Sequence, residues 1–170
     1  VARHGPPSFW SRPPGFATLV YIILEQQVSL ASARATYLRL QELLPEFTPE
    51  AFVRLSDEVL RSAGVSRQKA RYSRLVAEAA LDGTLPLARL GRMRDEEVRA
   101  ALTAITGIGN WTADVYMMAA LRRRDLWPIG DLALVKAIME LKGYEERPPA
   151  EQLEALGERY RPVRSVAALI

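Results

Sequence analysis

The 170-residue sequence predicts an all-α fold of about ten short helices. Three observations predict it. No stretch keeps up the alternation of apolar and polar residues that a half-buried strand needs. No Asn-Gly pair marks a tight hairpin, and no internal repeat is visible. Apolar residues instead recur at helical spacing between Ser, Thr and Asp caps on one side and Gly or Pro stops on the other.

The elements follow in order. Residues 1–15, "VARHGPPSFWSRPPG", hold four prolines and two glycines and read as an extended lead-in. His4, the only histidine, sits there and takes no catalytic role. Residues 16–44 form two helices with a polar break at 26–29, and Pro45 ends the second. Residues 48–64 hold two short helices. Thr48 and Pro49 stand as N-cap and first helical residue of one, and Ser56 caps the other. Ser66 caps a helix that Gly83 stops. Asp95 is read as the cap of a helix over 94–106, with acids in its first turn to suit the dipole. A Gly-Ile-Gly turn leads into a helix over about 110–122, then a linker, then a helix over 131–142. Segments 149–160 and 163–170 close the chain.

Composition limits the function. Half the residues are hydrophobic (49%) and a quarter charged (25%), enough for a core, and one domain or two small lobes is expected. With no Cys there is no disulfide, thiolate metal site or iron–sulfur cluster, which suits a reducing cytoplasm. No apolar run approaches the roughly 20 residues of a membrane span. A net charge of +3 does not by itself point to a polyanion. Only three of the 23 cationic residues are Lys, and Arg is the better bidentate phosphate ligand, although base composition gives the same ratio. The chain starts at Val1 and stops at Ile170 inside an apolar run, so trimmed ends are expected.

The segment "LTAITGIGNWTADVYMMAALRRRDLWPIGDLALVKAI" carries the chemistry. Gly107 and Gly109 are expected to take positive φ and let the backbone approach something closely. The amides of 107–111 then face outward at a helix start, a ready anion site. Ile108 fixes the turn from inside, and the Thr112 hydroxyl adds a donor. A nucleic-acid phosphate is the natural ligand; an ordinary helix–helix corner is the plain alternative. Asp131, twenty residues after Trp111, is either a helix cap or a carboxylate aimed at a sugar C1′, and the two roles are compatible. Asp114 and Asp125 are the rival carboxylates, with Asp125 expected to pair within 122–124 or face solvent.

"L-x-x-I-x-G-I-G-x-W-T-A-D", "D-L-W-P-I-G-D-L-A-L", "FATLVYIILEQQVSLASA", "GVSRQKARYSRLVAEAALDGTL" and "RPVRSVAAL" together resemble the helix-hairpin-helix DNA glycosylase superfamily over residues 16–170. The branch they most resemble is the alkyl-base one, 3-methyladenine DNA glycosylase II. The resemblance implies one glycosylase domain over 1–170, two lobes with a cleft, and the hairpin at about 102–122. It implies that Asp131 is catalytic. It implies a base pocket of Trp111, Val115 and Ala133, roomier than in relatives with bulkier residues there; for Trp111, core packing stays open as the alternative. Trp111 stands where strand-cutting members carry a lysine, so hydrolysis without lyase activity is expected. Gln27, in "EQQVS", is implied as the residue that fills the gap left by the flipped base, with Gln26 as the neighbour that could be confused with it; a surface polar pair is the alternative. Gly107, Ile108, Gly109, Asn110, Thr112, Arg164 and Ser165 are implied to contact DNA, and Lys69 with Arg67 are further candidates; any of these cations could instead be solvated. Main-chain carbonyls of Thr103, Ile105 and Ile108 are implied ligands of a Na or K ion, with no cofactor required. The family carries a Trp beyond "RSVAALI", and its larger members an added β-rich domain. The implied activity is release of N-alkylated bases, of the 3-methyladenine or 7-methylguanine type, from double-stranded DNA by a monomer in a bacterial cytoplasm. The competing reading is a hairpin module that holds DNA without cleaving it. A glycosylase-lyase for oxidised bases is disfavoured by Trp111 and the missing Cys.

Overall fold

A computed structural model describes residues 11–170; His4 and most of the proposed lead-in lie outside the described residues. Ten α-helices follow one another, and no strand occurs among the described residues. They are α1 Phe16–Glu25, α2 Leu30–Leu43, α3 Pro49–Phe52, α4 Asp57–Ser62, α5 Arg67–Leu81, α6 Asp95–Thr103, α7 Asn110–Ala119, α8 Leu132–Lys142, α9 Ala150–Glu158 and α10 Arg164–Leu169. A 3-10 turn at Leu90–Arg92, not expected from the sequence, precedes α6.

The caps show why the helices begin where they do. Ser29, Thr48, Ser56 and Ser66 each accept the amide three residues on, at 3.2–3.3 Å. At α6 the expectation is corrected: Arg94 is the cap and Asp95 the first helical residue. The Glu97 carboxylate, not Asp95, turns back to accept the Arg94 amide at 2.9 Å. α7 stops at Ala119, earlier than 122. Arg122 takes a left-handed φ of 55°, and the Arg123 amide bonds back to the Met117 carbonyl at 3.0 Å.

α1 is apolar almost all round and is the buried axis of the larger lobe. α2, α5 and α7 pack against it. Leu19, Ile22 and Ile23 have no exposed surface, and Tyr116 of α7 uses its hydroxyl to accept the Gly15 amide at 2.9 Å. A second, smaller core joins α8 and α9 through Leu134, Val135, Ile138 and Leu153, with Trp127 packed on it. Ala168 of α10 touches both cores. Two lobes therefore meet along α7, the 120–131 linker and α10. No helix among the described residues is long and apolar enough to cross a membrane.

Candidate active site and nucleic-acid interface

A cleft of about 580 Å³ opens between the lobes. Its walls come from the end of α1 and start of α2 (Glu25, Val28, Leu30), from α7 (Trp111, Val115, Met118), from the start of α8 (Asp131, Ala133) and from 168–170. The three residues expected to shape a base pocket, Trp111, Val115 and Ala133, all line it, as does Asp131.

Asp131 is the N-cap of α8, and its two carboxylate oxygens do different things. Oδ1 accepts the amides of Ala133 at 2.9 Å and Leu134 at 3.0 Å. Oδ2 accepts the indole Nε1–H of Trp111 at 2.9 Å. A cap needs only the first. The second bond fixes the carboxylate rotamer from across the cleft, tying the smaller lobe's catalytic candidate to the hairpin helix. Trp111 thus holds the Asp131 carboxylate as well as lining the cleft, a contact sequence reading missed because it joins residues twenty apart.

The rival carboxylates lie elsewhere. Asp114 is buried against the Arg99 guanidinium at 2.5 Å; burial pushes its carboxyl above the ordinary range, against the pull of Arg99. Asp125 pairs not with its neighbours but with Arg161 at 2.9 Å and Arg164 at 2.7 Å. The Arg164 hydrogen bond holds its carboxyl below the usual range. Asp125, Arg161 and Arg164 line a second, charged cleft of about 610 Å³, whose lining includes neither Asp131 nor the glycine turn.

The turn is built largely as expected, with corrections. Gly107 has φ 95°, but Gly109 has an extended φ of −90° and serves as the cap of α7. Ile108 is buried, 4% exposed, and fixes the corner. Gly109 and Asn110 are exposed, at a helix start whose first amides have no partner within the helix. Thr112 is buried; its hydroxyl faces inward and accepts from Gln26 Nε2 at 3.0 Å, so it does not add a donor to an outside anion. Arg164 and Ser165 have partners within the chain. Arg164 is spent on Asp125 and Glu158, and the Ser165 hydroxyl is buried and accepts the Leu126 amide at 3.0 Å. Both knit the lobes together. Lys69 is turned to the Leu24 carbonyl at 2.6 Å, and burial lowers its ammonium pKa. Arg67 is exposed.

Gln27 is exposed between α1 and α2 with a left-handed φ of 57°, uncommon for a residue with a side chain. Gln26 is different in kind: half-buried, it donates to the Gly107 carbonyl at 2.9 Å. Sequence reading also missed Glu25, a buried carboxylate beside the cleft that accepts from Arg12 through both oxygens at 2.6 and 3.0 Å. Arg12 stacks over Tyr21. Glu25→Ala removes both charge-assisted hydrogen bonds to Arg12, and the unfolding free energy in urea is expected to fall by about 3 kcal/mol.

Among the described residues no group of His, Cys, Asp and Glu side chains could hold a metal ion. The Ile105 carbonyl already accepts the Ile108 amide at 3.0 Å, leaving one lone pair for any cation at the turn.

Comparison with known proteins follows this geometry. Residues 20–162 match the model of the HhH-GPD superfamily base excision DNA repair proteins. The alkylbase DNA glycosidase-like protein mag2 of Schizosaccharomyces pombe is 32% identical over 122 residues, 71% of this chain and 57% of its own. YfjP of Bacillus subtilis is 34% identical over 125 residues, 71% of this chain and 42% of its own. The chain thus spans about half the length of these two relatives. Among solved structures, a Schizosaccharomyces pombe 3-methyladenine DNA glycosylase in complex with abasic DNA superposes with a TM-score of 0.88 at 27% identity, over 97% of this chain and 82% of that one.

Proposed function

The chain belongs to the HhH-GPD superfamily of base excision DNA repair proteins, and from that premise we propose that it binds double-stranded DNA, extrudes an N-alkylated purine and hydrolyses its glycosidic bond. Residues 1–170 act as one glycosylase domain in this reading. The relatives named for alkyl-base and 3-methyladenine glycosylases support the substrate class. The observation that carries the reading is the division of labour at Asp131: one oxygen caps α8 while the other is held by Trp111 in the wall of an apolar cleft.

The reaction follows from that arrangement. The amides of Gly109 and Asn110 take a backbone phosphate of the damaged strand beside Gly107 and the buried Ile108. The nucleotide swings into the cleft against Trp111, and Gln27 fills the space it leaves. The C1′–N bond breaks with its electron pair going to the base, which for a 3-methyladenine or 7-methylguanine cation leaves neutral. No general acid is needed for such a leaving group. The Asp131 carboxylate stabilises the oxocarbenium-like sugar and orients the water that adds to C1′; the water's proton passes through that carboxylate to solvent. Trp111 offers no amine for a Schiff base, so the strand stays intact. Val115 and Ala133 leave room for bulkier lesions than 3-methyladenine.

No organic cofactor enters this chemistry. A Na or K ion held by the carbonyls of Thr103, Ile105 and Ile108 would stiffen the turn without touching the reaction. The protein acts as a monomer, and with genomic DNA as substrate it works in a bacterial cytoplasm. The test is release of methylated purines from alkylated duplex DNA, with a panel of lesion-bearing oligonucleotides to set the range. Binding without release would favour the non-catalytic module, and a borohydride-trapped adduct would favour a lyase.

A further inference from the structure

We infer that Gln26 is a positioning residue: it is the strut that fixes the inserting side chain of Gln27 relative to the phosphate-gripping turn. This rests on the proposed reading of the site, in which residue 27 enters the duplex and the turn holds the strand.

The loop between α1 and α2 has four residues, 26–29, and is held from two sides. On one side Lys69 of α5 donates to the Leu24 carbonyl at 2.6 Å, fixing the last turn of α1. On the other, the single Nε2 of Gln26 donates to the Gly107 carbonyl at 2.9 Å and to the Thr112 hydroxyl at 3.0 Å. Those acceptors lie 81 and 86 residues away, in the turn and in the first turn of α7. The next residue, Gln27, sits in the left-handed region at φ 57°. Such a backbone persists only when its surroundings over-determine it. The Gln26 bonds just before it and the Ser29 cap of α2 just after it supply that determination.

The arrangement has a mechanical consequence. The Gly107 carbonyl and the free amides of 109–110 belong to the same corner, so a strand phosphate seated on the amides and the plug beside it share one rigid reference. Without the strut the corner still presents its amides and Gln27 still exists. What is lost is their fixed separation. The prediction is therefore a loss in insertion and rate with little loss in affinity, an error of placement of the kind that costs catalysis steeply.

Gln26→Met removes the donors at nearly constant volume. Using the full chain, three quantities separate the outcomes: affinity for a duplex holding a tetrahydrofuran abasic analogue, fluorescence of a 2-aminopurine placed beside that analogue, and single-turnover release of an alkylated base. For Gln26→Met, affinity is expected within threefold of the parent, the 2-aminopurine signal reduced by at least half, and release slowed at least tenfold. In the Gln26→Met/Gln27→Ala double variant, release is expected no slower than in Gln27→Ala alone, because the strut acts through the plug. If the two effects multiply, or if affinity falls in step with rate, the inference is overturned. If Gln26→Met does not fold, Thr112→Val removes one acceptor and is expected to reproduce a milder loss that Thr112→Ser restores; equal behaviour of the two would overturn it. Should the parent release no base at all, the proposed function fails, while the 2-aminopurine signal still reads the strut.

Discussion

Asp131→Asn is expected to lower single-turnover base release by two to three orders of magnitude while leaving the fold and DNA affinity intact. The substitution removes the charge and keeps the cap. Asn is as good an N-cap as Asp, so its carboxamide oxygen continues to accept the Ala133 and Leu134 amides and α8 keeps its start. What disappears is the negative charge facing the sugar, and with it the stabilisation of the developing oxocarbenium ion. Removing one preorganised electrostatic group of this kind typically costs about 10²–10³ in rate. Trp111 adds a second effect: its N–H now needs an acceptor, and only one side-chain atom of Asn accepts. Unchanged Tm and unchanged affinity for abasic-analogue DNA, together with the lost rate, would separate catalysis from capping. Full activity would reduce Asp131 to a cap and remove its catalytic assignment.

What the sequence made legible divides along a physical line. The caps at Thr48, Ser56 and Ser66, with Pro49 opening α3, were readable because each bond closes within three residues. The Gly-Ile-Gly corner and the helix start at Asp131 were readable for the same reason. Where the reading went astray, a distant partner decided. Arg164 looks like a phosphate ligand in isolation; Asp125, 39 residues away, claims it. Thr112 looks free to reach an anion until Gln26 takes its hydroxyl. Glu25 carried no signal at all, since an acidic residue ending an apolar helix gives no hint of Arg12. The Trp111–Asp131 bond was half visible: both residues were singled out for the cleft, but only the fold brings indole and carboxylate to 2.9 Å.

The two glycines of the corner, alike in sequence, are expected to respond very differently to alanine, and the difference tests the corner's construction. Gly107 has φ 95°, where an L side chain costs about 1–2 kcal/mol. A Cβ there would also overlap the Tyr72 ring of α5, with no space to give except by moving α5 or the turn; overpacking of that sort adds about 1–3 kcal/mol. Gly107→Ala is therefore expected to destabilise by about 3 kcal/mol in urea unfolding. Any folded fraction should hold DNA poorly, because the displaced turn moves the outward amides of residues 109–110 that take the phosphate. Gly109 has an extended backbone and nothing within 4 Å of where its Cβ would stand. Gly109→Ala should cost no more than about 1 kcal/mol, the difference between Gly and Ala at an N-cap, and any larger loss must come from what approaches the turn from outside. The steric and conformational parts at Gly107 separate in turn. In a Tyr72→Ala background the overlap is gone, so adding Gly107→Ala should cost only the smaller, conformational share. A cost as large as in the parent would mean that the ring does not bear on the turn, and that α5 is not what sets the corner's position.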